Sequence, residues 1–256
     1  MGFAFREQIR AIGALLMREA LTRYGSSRIG YLWAVIEPAA FIAMFLVVRE
    51  YLGRTVPIGE NIALFMMSGL VGARITLNIA NKIGAAIESN RALLVYPLVN
   101  PLDTIAARCV LEALTGMIVF VLFFAGLLLV AGDVTINDFA TFSQGAMMLV
   151  VMGCSLGTFN AVLGTVLPAW TRVWALMSLP LFITSGIFFV PATLSPSILA
   201  VVWWNPLLHC VEWVRTGAYV TYDPLLDHAY PLTLSFVLLI AGLLLERIYR
   251  FRLLSL

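Results

Sequence analysis

His209 and Glu212 stand three residues apart in Trp204-Asn-Pro-Leu-Leu-His-Cys-Val-Glu-Trp213. On a helix that spacing puts both side chains on one face, like half of a metal site. The other histidine is His228, and with no second carboxylate cluster a third ligand is hard to find, so the expected metal set is none. A membrane-embedded glycan- or lipid-modifying enzyme would need more than this pair. Cys109, Cys154 and Cys210 lie in apolar stretches without metal-ligand spacing, which assigns them to packing. Lys82 is the lone lysine and follows Asn81, whereas a phosphate-cradling loop needs Gly-Lys followed by Ser or Thr. The chain therefore carries no nucleotide engine. Glu37, Arg74 and Glu112 are the charges in or near long apolar runs, too few for an ion-coupled carrier. A transporter so built must borrow its energy.

The elements that hold these residues are membrane helices. The chain is 61% hydrophobic and 12% charged, against about 25% charged in a soluble domain. A net charge of +2 with dispersed basic residues excludes nucleic acid as a partner. Crossing the hydrocarbon layer takes about 20 apolar residues. Runs of that kind predict spans at Tyr31–Val48, Ile62–Ala80, Val110–Ala131, Ala146–Leu167, Val173–Val190 and Leu232–Leu245. Lys and Arg concentrate at Arg6, Arg10, Arg18, Arg23, Arg28, Lys82, Arg91, Arg108, Arg172, Arg247, Arg250 and Arg252, against Arg49, Arg54 and Arg215 on the other side. That bias predicts both termini in the cytoplasm. Arg6, Glu7, Arg10, Arg18 and Glu19 interrupt any signal-peptide core.

The expected fold is all-α: one integral-membrane domain over residues 1–256 with six transmembrane helices, multi-pass in the inner membrane. Residues 1–28 are predicted as an amphipathic helix in the cytoplasmic interface, with Phe5, Ile9, Ile12, Leu16 and Ala20 on one face. Residues 191–222 hold Pro191, Pro196 and Pro206. The piece Ser197–Trp204 would be about 12 Å long as a helix, too short to cross, so a re-entrant hairpin on the periplasmic side is predicted. Gly153, Gly157 and Ala161 recur every four residues with Gly164 close behind, a pattern for close helix approach. The loop 81–103 carries Leu93, Leu94 and Tyr96 as apolar groups on a polar segment broken by Pro97 and Pro101, which suggests a docked surface. Glu37, before Pro38, is either a gate residue or a carboxylate snorkelling to the headgroups. Arg74 either reaches the interface or faces a wet channel. The six tryptophans fall near span ends, where anchoring accounts for most of them and stacking on sugars for one or two.

Arg23-Tyr-Gly-Ser-Ser-Arg-Ile-Gly-Tyr-Leu-Trp-Ala-Val-Ile-Glu-Pro38, Ser89-Asn-Arg-Ala-Leu-Leu-Val-Tyr-Pro97 and Pro101-Leu-Asp103 resemble the permease subunits of type-two ABC exporters, in the capsular-polysaccharide (KpsM-like) branch. The likeness runs the whole chain; O-antigen and teichoic-acid exporters share much of it. Arg74 departs from the pattern, which has an apolar or aromatic residue there. The resemblance implies a homodimer and two cytoplasmic KpsT-like ABC ATPase subunits. ATP and Mg would sit on those subunits, and no cofactor on this chain. It also implies a KpsE-like adaptor leading to an outer-membrane exporter, and a lipid-linked polysaccharide as cargo. ATPase coupling would fall to Glu88, Ser89, Asn90, Arg91, Leu93, Leu94, Tyr96 and Pro97. Substrate admission and gating would fall to Arg23, Arg28, Tyr31, Trp33, Glu37 and Pro38. The translocation path would hold Arg74, Phe182, Phe188 and Phe189.

Overall fold

The computed structural model describes residues 2–24, 36, 39–40, 43–44, 47, 58–59, 61–96, 99–131 and 135–254. All regular structure among them is helical. Helix α1 covers Gly2–Tyr24. Helix α2 covers Ile62–Gly84, opened by Asn61, whose side chain accepts from the backbone N–H groups of Ala63 and Leu64. One π turn, Met67–Val71, interrupts it. A short helix α3, Ala86–Ser89, and a 3-10 turn, Arg91–Leu93, lead to α4, Pro101–Ala131. Helix α5 is Phe139–Val166, capped by Asp138 through Ala140 N. The Thr141 hydroxyl also donates to Asp138 and holds its carboxyl below the ordinary carboxylate range. There follow α6, Pro168–Ile183, α7, Pro196–Val202, α8, Pro206–Ala218, and α9, Ala229–Leu254.

Helix α5 is the post around which α2, α8 and α9 pack. Small residues make that possible. A Cβ on Gly157 would lie 2.6 Å from Ile83 Cβ, and one on Gly153 would lie 2.9 Å from Thr76 O, so the glycine stripe faces α2. Thr76 crosses the same seam to donate to Leu149 O at 3.0 Å. Nearer the start of α5, Cβ atoms at Gly145 and Gly217 would come within 2.6 Å of Val214 N and 2.2 Å of Phe142 N. Helix α8 lies backbone to backbone on α5.

The segment with Pro196 and Pro206 forms a bent pair of helices. Pro196 opens α7, Asn205 caps α8 by accepting from Leu207 N, and the two helices meet at 102°. Asn205 Nδ2 donates to Leu181 O and Thr184 Oγ1, both at 2.8 Å. The elbow is thereby fastened to the end of α6.

Among the described residues, helices α2, α4, α5 and α9 are long and apolar enough to cross a membrane, five elements if α7 with α8 is one broken span. The first expected run, Tyr31–Val48, lies outside the described residues except at single positions. The fifth was expected at Val173–Val190; α6 instead runs Pro168–Ile183, 16 residues and about 24 Å. Pro180 removes a backbone donor near its end, and the chain turns at Gly186, φ +81°. None of α6 is buried within the chain.

Replacing Gly157 by Val forces side-chain volume into the α2–α5 seam and should cost about 1–3 kcal/mol. Thermal unfolding in detergent should fall by several degrees. An unchanged midpoint would mean that the seam is looser than 2.6 Å implies.

Candidate functional site

The segment between α2 and α4 turns on Asn90, which is 2% exposed. Its Nδ2 donates to Ala86 O at 2.9 Å and to Glu19 Oε1 at 2.7 Å, and its Oδ1 accepts from the Arg18 guanidinium. Leaving a buried amide unmet costs about 1–3 kcal/mol, so satisfaction at both ends holds the turn in one place. Glu19 continues the chain of charge. It pairs with Arg108 Nε at 3.0 Å, and Arg108 reaches Ser89 Oγ at 3.0 Å and Glu112 at 4.0 Å. Glu112, itself 2% exposed, pairs with Lys82 Nζ at 3.2 Å. Signs alternate along Lys82, Glu112, Arg108 and Glu19, so each buried carboxylate meets a cation. Through these contacts α1, α2, α3 and α4 share one cluster. Gln8, which donates to Asp103 at 3.0 Å, is a further tie between α1 and α4.

The cluster supports a short projection. Ala86 and Ile87 are buried and root it, while Glu88 and Arg91, 3.7 Å apart, stand outside. Leu93, Leu94 and Tyr96 were expected on one outward apolar face, but Leu94 is 7% exposed and belongs to the core. The tip is Val95 and Tyr96, 82% and 62% exposed. The 3-10 turn rotates the backbone by about 120° per residue rather than the helical 100°, which swings Leu94 inward. Pro97 lies outside the described residues.

The expected admission set is outside them too: Arg28, Tyr31, Trp33, Glu37, Pro38 and the side chain of Arg23. The four path residues are not gathered in one element. Arg74 is half-buried on α2, Phe182 ends α6, and Phe188 and Phe189 follow the Gly186 turn. Phe182 and Phe188 pack against the core of the same chain. His209 and Glu212 diverge. The ring nitrogens of His209 meet Trp203 O at 2.9 Å and Asp227 N at 3.2 Å, while Glu212 turns to Arg215 at 3.3 Å and to the Tyr222 hydroxyl.

Arg215 was counted with the outer loops and is instead fully buried. Its guanidinium stacks 4.1 Å over Phe65 and donates to Ser68 Oγ and Phe189 O, both at 3.4 Å. Ser68 lies in the π turn, and Gly69 beside it leaves room, since a Cβ there would meet Arg215 Nη2 at 3.0 Å. The readable signal was the i, i+3 pair Glu212–Arg215 in a helix opened by Asn205-Pro206.

Residues 10–219 match the family model for ABC-2 type transporters. The chain is 32% identical over 247 residues to the polysialic acid transport protein KpsM of Escherichia coli, covering 95% of each. It is 29% identical over 220 residues to the capsule polysaccharide export inner-membrane protein BexB of Haemophilus influenzae, covering 84% of this chain and 83% of BexB. With CtrC of Neisseria meningitidis, also a capsule polysaccharide export inner-membrane protein, identity is 28% over 240 residues, 92% and 89% of the two.

Two substitutions separate the clusters. Arg108→Met removes the cation between Glu19 and Glu112 and should speed amide exchange across 86–96. Arg215→Met strands Glu212 and should do so around 65–69 and 186–190. Each should cost about 3 kcal/mol, the order for breaking a buried pair. Protection unchanged at the local segment would show that the pair does not hold it.

Proposed function

The chain belongs to the ABC-2 type transporter family, and from that premise we propose that it is the permease of an ATP-driven exporter of lipid-linked capsular polysaccharide. Its likeness to KpsM, BexB and CtrC, over 95%, 84% and 92% of the chain, carries this reading. In the proposed machine six spans cross the inner membrane, with both termini and α1 on the cytoplasmic side and the α7–α8 hairpin dipping in from the periplasm. Two copies face each other, because six helices and one hairpin hardly enclose a hydrated glycan. The first span and α6 line their seam; an α6 with no buried residue of its own has its face free for that purpose. Two ABC ATPase subunits hydrolyse ATP below, and a periplasmic adaptor passes the polymer outward.

Energy enters through the projection. An ATPase groove that receives Val95 and Tyr96 pulls on a turn fixed by Asn90, and the alternating charges carry the displacement into α1, α2 and α4. Arg23 and Arg28 attract an anionic lipid headgroup at the inner leaflet. Arg74 and the phenylalanines 182, 188 and 189 meet the polymer.

In a host deleted for this gene, the wild-type chain should restore surface polysaccharide. Val95→Asp with Tyr96→Asp should leave the chain inserted and cut surface polymer by about tenfold or more, since charged residues disrupt an apolar docking core. Full surface polymer in the double variant would contradict coupling through this tip.

A further inference from the structure

A cleft of about 580 Å³ opens between the end of α2, the α3 projection, the end of α5 and the start of α6. That volume is within the ordinary range of a small-ligand site, about 300–1,000 Å³. Two indoles line it, Trp170 and Trp174, one turn apart on α6. Each is held by an asparagine. Trp170 Nε1 donates to Asn160 Oδ1 at 2.9 Å, and Trp174 Nε1 donates to Asn81 Oδ1 at 2.6 Å. Trp170 also meets the Phe159 ring edge-on, centroids 5.9 Å apart. The ring planes are therefore set before any ligand arrives.

Asn160 supplies the second observation. It is 5% exposed, and its oxygen is committed to Trp170, so its Nδ2 is the group left over. That nitrogen is buried and has no hydrogen-bond partner among the described residues. A buried donor without an acceptor is costly, and this one belongs to the wall of a cleft. Fixed aromatic faces beside an unmet donor suit a pyranose. Its axial C–H groups lie against the negative π face, and a ring or hydroxyl oxygen accepts from the amide. Glu88 and Arg91 form the rim on the projection side.

We propose that this cleft is a sugar-binding subsite, which holds one or two residues of the exported polymer on Trp174 and Trp170 beside the coupling projection. The inference rests on the polysaccharide-export reading and goes beyond it by placing a glycan contact next to the segment that meets the ATPase. Occupancy of the cleft is thereby in a position to be felt by the projection, whose Glu88 and Arg91 share its wall.

The test uses the intact permease–ATPase complex in lipid nanodiscs, titrated calorimetrically with lipid-free polymer stripped from the surface of the wild-type host. Wild-type complex should bind it. Trp174→Ala should weaken binding by about tenfold, the effect of losing one good contact, whereas Trp174→Phe keeps a ring face and should stay near wild type. Trp204→Ala, at the exposed elbow of the hairpin, should change nothing. Unaltered affinity in Trp174→Ala, or no binding by wild type, would overturn the inference. Loss of the ATPase subunit from purified Trp174→Ala complex would also overturn it, by making the cleft part of the docking surface. A host deletion that leaves surface polysaccharide intact would instead remove the export reading itself, and the subsite with it.

Discussion

Glu112 is 2% exposed and sits between Lys82 on one side and Arg108 on the other. A carboxylate withdrawn from water survives ionised only where cations and donors replace its hydration. That demand fixes more than one side chain. Arg108 can serve Glu112 only while Glu19 balances it, and Glu19 is in place only while Asn90 donates to it. The helices at this end already share the apolar core of Ile83, Ile87, Leu94 and Ile105, and a short series of charges fastens them on top of it. The projection of Val95 and Tyr96 inherits its position from that series.

A second buried charge does similar work at the other end of the bundle. Arg215 joins α8 to the π turn of α2 and to the chain after Gly186. Both networks touch α2, and both leave α5 as a nearly uncharged post whose glycines admit its neighbours to backbone distance. The mechanical picture is a rigid α2–α5–α8 centre with polar fasteners at either end. The elements at the edge, α6 and α9, present apolar residues such as Leu176 and Phe236 outward.

Much of this was legible in the residues. The apolar runs located α2, α4, α5 and α9, and the prolines at 196 and 206 marked the α7–α8 elbow. The stripe through Gly153 and Gly157 announced a close seam, though naming α2 as its partner needed the fold. Hydropathy placed the start of α2 at Ile62 but missed the starts of α5 and α4, because Asp138 caps α5 well before the expected Ala146 and because paired charges let α4 start at Pro101. It misplaced Arg215 for a related reason: a charge beside Tyr219 and Tyr222 reads as a surface residue until Ser68 and Phe65, about 150 positions earlier in the chain, close over it. Leu94 was misread because side-chain direction in a 3-10 turn does not follow the helical period.

The central claim is that the projection and α1 move as one body. Spin labels at Val95, Met17 and Phe251, all well exposed, would measure it in the permease–ATPase complex with and without bound ATP. The account predicts that the Val95–Met17 distance stays constant while the distance from either to Phe251 changes on ATP binding. A Val95–Met17 distance that changes while Met17–Phe251 stays fixed would contradict it.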